Sequence, residues 1–247
     1  MSASLPTELT ARLRQARHVA VLTGAGVSAE SGVPTFRDAQ TGLWARYRAE
    51  DLATPEAFAR DPELVWAWYR MRAELVRNAE PNPAHIALAR LETLVPRLTL
   101  LTQNVDGLHA RAGSRTIVEL HGNILRARCT GDGMLVPYEQ LGGDTVPRCT
   151  GCGALLRPDV VWFGEPLPRA ALETAFAAAR ECDVFLSVGT SNVVEPAASL
   201  PWIAAAAGAA VAVINPSLQG QRSGANIFHL AGKAGEHLPA LLGQAWA

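Results

Sequence analysis

The chain has 247 residues, of which 49% are hydrophobic and 18% are charged, and its formal net charge is −1. A chain this apolar and nearly neutral is not intrinsically disordered, and its length suits one large domain, or a core domain with a smaller insert. The near-zero net charge disfavours a nucleic-acid-binding protein, which would present a basic face. Four cysteines are too few for a disulfide scaffold.

The sequence carries no clear targeting or membrane signal. The first 16 residues lack the apolar segment of a secretory signal, so we expect a cytoplasmic protein. Residues 196–214 carry no charge and are long enough to span a membrane on length alone. This segment is rich in alanine and is interrupted by Pro201 and Gly208, which favours a buried helix, a glycine stop and a buried strand. We therefore expect no membrane partner.

Short apolar segments that recur along the chain predict β-strands separated by helices. The predicted strands cover 18–23, 97–102, 116–120, 183–189 and 210–215. Continuous apolar runs of this length are typical of inner strands in a parallel sheet that is covered on both faces. The pattern predicts an α/β fold built on a doubly wound parallel sheet.

The predicted helices between these strands have clear first residues. Thr54, Asp61 and Asn82 each precede a proline, which is the arrangement of an N-cap followed by a proline in the first helical turn. A further helix is expected to begin near Pro168, and a last one to cover 235–245.

Two segments break the alternation and suggest a second, smaller domain. They are 34–95, an extended loop followed by helices, and 122–161, a knuckle-like segment rich in Gly, Pro and Cys. We interpret both as inserts in a nucleotide-binding domain made of 1–33, 96–121 and 162–247. A ligand would lie between the two domains, at the carboxyl ends of the strands.

The first predicted strand leads directly into a glycine-rich turn, GAGVSA, at 24–29. Small residues in such a turn let backbone N–H groups approach a pyrophosphate. An ordinary dehydrogenase has a second strand that ends in an acidic residue about 20 positions later. Glu50 and Asp51 lie near that distance, but 31–47 is a polar loop and no strand delivers the carboxylate. The turn therefore binds a dinucleotide in a different way, or binds something else.

Further motifs decide between these possibilities. The turn continues as GAGVSAESGVPTFRD, and it is followed in order by TQNVDGLH at 102–109, ELHG at 119–122, VVWFGE at 160–165 and GTS at 189–191. Together these motifs resemble the sirtuin family of NAD-dependent protein deacylases. Five motifs in register are far more specific than any one of them, and the resemblance covers nearly the whole chain. It implies a Rossmann-like fold with a helical and zinc-knuckle small domain.

By this resemblance, most of the motif residues bind NAD. Those expected to hold the pyrophosphate are Gly24, Ala25, Gly26 and Ser28. Those in the flexible cofactor loop over the nicotinamide half are Thr35, Phe36 and Arg37. Those expected to orient the nicotinamide and its ribose are Gln103, Asn104 and Asp106, of which the last two also count as catalytic. Those near the adenosine half are Gly189, Ser191, Asn215 and Ala234.

The implied reaction transfers the acyl group of an acylated lysine, in a protein or peptide, to ADP-ribose, which releases nicotinamide, O-acyl-ADP-ribose and free lysine. His121 is the implied general base, because an imidazole has a pKa near the working pH. His109 is the rival histidine, and only the motif context favours His121. Residues expected to form a strand that pairs with the substrate backbone are Val160, Val161, Phe163, Gly164 and Glu165.

Two other functions are compatible with an NAD site of this kind. A sirtuin-like mono-ADP-ribosyltransferase would share the whole site, so that only product analysis separates it from a deacylase. A non-catalytic NAD-binding sensor is disfavoured because Asn104, Asp106 and His121 are all present.

Tyr69 and Arg72 lie three residues apart on a predicted helix and therefore share a face. They resemble the Tyr-x-x-Arg pair of the sirtuin branch that removes malonyl, succinyl and glutaryl groups. An acetyl pocket needs only apolar walls, whereas a negatively charged acyl tail needs a fixed cation and a hydrogen-bond donor. The alternative is a solvated arginine beside an aromatic core residue. We favour the first interpretation and expect an acidic-acyl preference with some deacetylase activity.

The family usually has two CxxC knuckles that hold a structural zinc ion. Here the second knuckle is CTGCG and the first is CTGDG, in which Asp132 occupies a usual cysteine position. Aspartate is a permissible but less common zinc ligand. Two hypotheses follow: either zinc binds through Cys129, Asp132, Cys149 and Cys152, or the metal has been lost and packing holds the module. Cys182 is expected to be a buried core residue.

Overall fold

The structure, a computed structural model, describes residues 5–35, 47–143, 146–218 and 222–247. The helices are α1 (Thr7–Gln15), α2 (Ala25–Ala29), α3 (Ala49–Leu52), α4 (Pro55–Arg60), α5 (Pro62–Asn78), α6 (Pro83–Leu94), α7 (Leu108–Arg111), α8 (Arg169–Glu181), α9 (Leu200–Ala206) and α10 (Ala234–Ala245). The strands are β1 (His18–Thr23), β2 (Arg97–Thr102), β3 (Ile117–Glu119), β4 (Gly122–Cys129), β5 (Leu135–Pro137), β6 (Leu156–Val160), β7 (Val184–Val188), β8 (Ala210–Asn215) and β9 (Ile227–Ala231).

In the described ranges, six parallel strands form the larger sheet in the order β3-β2-β1-β7-β8-β9. The chain winds outward from β1 through β2 to β3 and later returns to β7 on the other side of β1. The strand order therefore reverses between β1 and β7. Ligands of doubly wound folds bind at the carboxyl ends of the strands at such a reversal.

This topology confirms the predicted fold class. The five predicted strands all form, although β3 and β7 are shorter than their predicted ranges. Strand β9 is missing from the sequence-based prediction. It lies at the edge of the sheet and most of its residues are only half-buried, so it lacks the continuous apolar pattern of the inner strands.

Two hydrophobic layers cover the larger sheet. One contains buried residues of α1, α6 and α10, and the other contains buried residues of α8 and α9. Helix α6 falls within the predicted insert 34–95, yet its buried Leu88 and Leu91 lie in the core of the larger sheet. The division into two domains stays a proposal, and this packing favours a boundary before α6.

The predicted helix starts are confirmed by their caps. The Thr54 hydroxyl accepts from a backbone N–H at 3.1 Å, the Asp61 carboxylate at 2.9 Å and the Asn82 side chain at 2.9 Å. Each cap satisfies a backbone donor that the helix itself leaves unpaired, which stabilises a helix by about 1 kcal/mol. The three helices α4, α5 and α6 therefore begin at the residues where the sequence places them.

A smaller antiparallel sheet, with the order β5-β4-β6, packs against α5. The shared core contains Trp66, Trp68 and Tyr69 from α5, and the Trp66 indole N–H donates to the Leu156 carbonyl of β6 at 2.9 Å. The strands fall in the segment 122–161, for which the sequence predicts no helix. This packing fixes one face of α5, which carries Tyr69, against the end of β6.

The uncharged segment 196–214 folds as a 3₁₀ helix, α9 and β8. Gly208, with φ +96°, lies in the turn after α9, in agreement with the predicted glycine stop. Among the described residues, no helix has both the length and the apolar character needed to cross a membrane.

Candidate active site

Three polar side chains meet at the carboxyl ends of β1 and β2. Ser28 donates to Asp106 Oδ2 at 2.6 Å and accepts from Asn104 Nδ2 at 3.0 Å. The other oxygen of Asp106 accepts from the backbone N–H of Leu108 at 2.9 Å. Burial raises the pKa of Asp106, although the bonds from Ser28 and Leu108 oppose this shift. The three side chains form a preorganised set of donors and acceptors suited to the hydroxyl and amide groups of a ligand.

The glycine-rich turn packs directly against the loop after β7. The Gly26 N–H donates to the Gly189 carbonyl at 2.8 Å. A Cβ atom at Gly24 would lie 2.7 Å from Thr190 Cβ, and one at Gly26 would lie 2.7 Å from the Gly189 oxygen. Gly189 has φ +60°, and a Cβ there would overlap the backbone of Val27. Glycine is therefore required for the two loops to form one wall of the site.

Gln103 connects three loops of the site. Its backbone N–H donates to the Thr23 carbonyl at 3.0 Å, and its side-chain amide donates to Thr190 Oγ1 at 3.0 Å. Thr190 is not among the residues that the sequence assigns to NAD, although it lies between Gly189 and Ser191, which are. The Gln103 carbonyl oxygen lies 3.0 Å from His121 Nδ1.

His121 lies where the chain passes from the larger to the smaller sheet. The next residue, Gly122, has φ +81°, and a Cβ there would overlap the Asp159 carbonyl, so glycine is required at this crossing. Because a carbonyl can only accept, we assign the imidazole proton to Nδ1, which leaves Nε2 as the proton acceptor. Burial lowers the pKa of His121, and the Gln103 bond opposes this only in part. The imidazole is therefore neutral at pH 7, as a general base must be.

The rival histidine, His109, lies in the core. It is 2% exposed, and its Nε2 lies 2.9 Å from Thr23 Oγ1. Burial, together with the neighbouring His85, lowers its pKa to about 3. These surroundings are those of a structural histidine and favour His121 as the base.

The residues expected near adenosine lie on the other side of the strand-order reversal. Gly189 follows β7, and Asn215 is the last residue of the adjacent strand β8. The Gly189 N–H donates to the Ile214 carbonyl at 2.9 Å. Ser191 is exposed in the loop after β7, and Ala234 is the buried first residue of α10. These positions surround the carboxyl end of the sheet.

The predicted cofactor loop is described only at its start. Thr35 is half-buried a few residues after α2. Phe36 and Arg37 lie outside the described residues.

The strand expected from the VVWFGE motif is shorter than predicted. Strand β6 ends at Val160, and the segment 161–165 contains a turn at 162–165, in which Gly164 has φ +85° and the Glu165 N–H donates to the Trp162 carbonyl at 3.0 Å. The prediction of one strand is therefore wrong beyond its first residue, because the glycine and this bond close the chain into a turn. The residues affected are Val161, Phe163, Gly164 and Glu165.

This turn is joined to the candidate base. The Val161 N–H donates to the His121 carbonyl at 2.9 Å. The side chain of Phe163 is exposed, whereas the Glu165 carboxylate is directed back into the protein and accepts from Arg157 at 2.5 and 2.8 Å. A substrate peptide that lay along this turn would therefore pass beside His121.

Tyr69 and Arg72 lie on the inner face of α5. Tyr69 is 2% exposed and its hydroxyl accepts from the Trp162 indole N–H at 2.9 Å. Arg72 is half-buried, with its guanidinium carbon 5.1 Å from the centre of the Trp68 ring. Burial lowers the pKa of Arg72 and the neighbouring Tyr69 raises it, whereas burial raises the pKa of Tyr69. Tyr69 therefore packs in the core, as both interpretations allow, and Arg72 is only partly accessible to solvent.

The two knuckles have the same backbone conformation. In each, the fifth-residue glycine donates to the carbonyl of the first cysteine, at 3.1 Å in CTGDG and at 2.9 Å in CTGCG. The same glycines have φ of +77° and +76°. Asp132 therefore holds, in the first knuckle, the backbone position that Cys152 holds in the second.

The ligand atoms of Cys129, Asp132, Cys149 and Cys152 all lie within 4.8 Å of one another. The Cys129 and Cys152 sulfurs are 3.3 Å apart, and the Cys149 sulfur lies 3.9 Å from Asp132 Oδ2. The ligand atoms of a tetrahedral zinc ion lie about 3.5–3.8 Å apart, given metal–ligand bonds of about 2.0–2.3 Å. The donor set therefore fits zinc. Cys182 is a buried core residue after α8.

The fold and the site define an α/β protein with a buried polar cluster at a strand-order reversal and a neutral histidine near it. Comparison with known proteins identifies the class further. A family model described as the Sir2 family matches residues 24–196. The chain belongs to this family, in agreement with the predicted sirtuin resemblance.

Relatives and solved structures support the same conclusion over the whole chain. The chain is 55% identical over 230 residues to NAD-dependent protein deacylase 2 of Pyrobaculum aerophilum, with 93% of this chain and 92% of the relative covered. It is 53% identical over 243 residues to the NAD-dependent protein deacylase of Methylococcus capsulatus, with 95% of each covered. A crystal structure of a Sir2 homologue with NAD has a TM-score of 0.91 at 47% identity, covering 98% of this chain and 94% of that chain. A complex of Sir2 with a p53 peptide and NAD⁺ has a TM-score of 0.83 at 30% identity, covering 96% of this chain and 97% of that chain.

The protein is an NAD-dependent protein deacylase, and NAD is its co-substrate. The predicted reaction class is confirmed by these comparisons.

Proposed function

We propose that this deacylase removes malonyl and succinyl groups, as well as acetyl groups, from lysine side chains of proteins. The observation that carries the proposal is the placement of Tyr69 and Arg72 on the inner face of α5. Tyr69 is hydrogen-bonded to Trp162, and the neighbouring Val161 N–H donates to the His121 carbonyl, so Tyr69 lies beside the turn that meets His121. A phenol and a guanidinium at this location suit the carboxylate at the end of an acidic acyl chain.

In the proposed mechanism, NAD supplies the electrophilic ribose carbon and the hydroxyl that receives the acyl group. Asn104 and Asp106 would bind and orient the ribose and carboxamide groups, and their hydrogen bonds to Ser28 hold the two side chains in place. His121 takes a proton from a ribose hydroxyl at Nε2, while the Gln103 carbonyl keeps the proton on Nδ1 and so fixes the ring orientation. Phe36, which the sirtuin resemblance places in the cofactor loop over the nicotinamide half, would shield the reacting carbon from water.

The substrates are acylated lysines in proteins or extended peptides, which the turn at 161–165 would hold beside His121. The Sir2 complex with a p53 peptide supports this view of the partner. A cytoplasmic location stays a prediction from the sequence.

The wild-type enzyme tests the proposal directly. Peptides of one sequence that carry acetyl-, malonyl- or succinyl-lysine are incubated with NAD, and the products are identified and timed by mass spectrometry. We expect O-acyl-ADP-ribose and free lysine, with a higher kcat/KM for malonyl and succinyl peptides than for the acetyl peptide. An acetyl preference would refute the proposed acyl specificity, and ADP-ribose attached to the peptide would indicate transferase chemistry instead.

We further propose that Cys129, Asp132, Cys149 and Cys152 bind a structural zinc ion. The matching conformation of the two knuckles and the spacing of the four ligand atoms support this choice over the metal-free alternative. A bound zinc would fix the turns that flank β4 and β6 in the smaller sheet, and it would take no part in the acyl transfer.

Metal analysis and chelation test this site. The purified protein is expected to contain stoichiometric zinc, and Cys129→Ala is expected to lose it, since structural zinc sites use four protein ligands and the loss of one thiolate weakens binding. Metal removal should lower the melting temperature by about 5 °C or more, because each kcal/mol shifts Tm by about 2–4 °C in a domain of this size. Cys182→Ala, which changes a cysteine outside the cluster, should retain the zinc. A zinc-free protein whose Tm is insensitive to chelator would favour the metal-free alternative.

A further inference from the structure

We propose that Trp162 is a positioning residue for acyl specificity, because it fixes the Tyr69 hydroxyl as a hydrogen-bond donor toward the acyl group. The proposal rests on the acidic-acyl preference argued above and extends it to a residue outside the Tyr-x-x-Arg pair. Trp162 and Tyr69 are 3% and 2% exposed, and the indole nitrogen lies 2.9 Å from the phenol oxygen. The bond is therefore a buried contact, which is stronger and better defined than one on the surface.

The chemistry of the two groups sets the direction of this bond. An indole N–H can only donate, so the Tyr69 oxygen must be the acceptor. The phenol keeps its own proton, since burial raises its pKa. A ligand that reached the hydroxyl would therefore meet that proton. A ligand acceptor such as a carboxylate oxygen satisfies it, whereas a methyl group, as in an acetyl substrate, makes no use of it.

Trp162 is itself held in one orientation. The Arg157 guanidinium lies over the indole, with its carbon 3.4 Å from the ring centre, and the Phe58 ring lies 5.3 Å from it at 44°. Arg157 is fixed in turn by the Val160 carbonyl at 2.8 Å and by both oxygens of Glu165. The same carboxylate accepts from the Trp162 backbone N–H at 2.8 Å. The indole cannot rotate away from Tyr69 without losing its contacts with Arg157 and Phe58.

This arrangement gives Glu165 a role that differs from the one expected from the sequence. The resemblance assigns Glu165 to the strand that pairs with substrate, whereas its side chain here supports Arg157 and the turn. The bonds from Arg157 and Trp162 lower the pKa of Glu165, against the effect of burial, which raises it. The carboxylate is therefore ionised at pH 7 and keeps the guanidinium over the indole.

Trp66 provides a matched control. It is also a buried tryptophan, 2% exposed, and its indole N–H also donates a 2.9 Å hydrogen bond, but to the Leu156 carbonyl rather than to Tyr69. Trp66→Phe and Trp162→Phe therefore remove the same kind of bond from the same core. If loss of a buried indole bond affected the enzyme only through stability, the two substitutions would change acyl selectivity equally.

The experiment measures kcat and KM on succinyl- and acetyl-lysine peptides for the wild type and for Trp162→Phe, Tyr69→Phe, the double variant and Trp66→Phe. Trp162→Phe should lower the succinyl-to-acetyl ratio of kcat/KM by about 5- to 10-fold, the equivalent of one ordinary hydrogen bond. Tyr69→Phe should lower the ratio at least as much. The double variant should fall no further than Tyr69→Phe, because Trp162 acts through Tyr69. Trp66→Phe should keep the ratio within about twofold.

The outcomes separate this proposal from the one it rests on. If Tyr69→Phe leaves the ratio unchanged, the acidic-acyl pocket itself is wrong. If Tyr69→Phe lowers the ratio but Trp162→Phe does not, or if the two effects multiply in the double variant, the positioning role is wrong. Should Trp162→Phe fail to fold, Arg157→Lys tests the positioning role instead. Lysine keeps the positive charge but loses the planar contact with the indole. A lower ratio in that variant supports the proposal, and an unchanged ratio overturns it.

Discussion

Replacing His121 with alanine is expected to lower kcat/KM by about 100- to 10,000-fold on every acyl peptide, which is the usual contribution of a general base. The structure gives the reason, since His121 is neutral and its Nδ1 proton is held by the Gln103 carbonyl, which leaves Nε2 to accept a proton. The loss should be the same for acetyl and succinyl peptides, because the base acts on the ribose and not on the acyl tail. Steady-state rates by mass spectrometry measure both.

The pH profile provides a control for this role. A base is inactive when protonated, so kcat/KM should fall on the acidic side of the His121 pKa. Burial lowers that pKa below the ordinary 6.5, and the acidic limb of the wild-type profile should therefore have its midpoint below 6.5. In His121→Ala this limb should disappear while NAD binding and Tm are retained. A variant that keeps activity within tenfold of the wild type would show that another group is the base.

The sequence best predicts those helices and strands that are determined by short-range patterns, such as apolar segments and helix caps. Inner strands are predicted from continuous apolar segments, as for β1, which is buried along its whole length. The caps at Thr54 and Asp61 act within three residues and give the helix starts. Strand β9 has neither signal, because it gains its place only by pairing with β8 at the edge of the sheet. Long-range pairing of this kind is not encoded in any short segment.

The candidate site shows the same division. The motifs place Asn104, Asp106 and His121 in the site because their residue types and order are specific. Local sequence does not reveal which partners fix these groups. Thr190 reaches Gln103 across 87 residues, and Trp162 reaches Tyr69 across 93. Such contacts form only when the chain has folded, and no short segment of the sequence predicts them.

Replacing Arg72 with methionine is expected to lower kcat/KM for succinyl peptides by about 10- to 100-fold or more, since it removes a charged hydrogen bond from a half-buried site. Activity on acetyl peptides should stay within about threefold, because methionine supplies an apolar wall of similar length. Parallel assays of both peptides measure the ratio. Arg70→Met is the matched control, since Arg70 lies on the same helix with its guanidinium carbon 5.4 Å from the Trp66 ring, and the ratio should not change. Equal losses on both substrates in Arg72→Met would place Arg72 outside the acyl pocket and leave Tyr69 without the cation that an acidic tail requires.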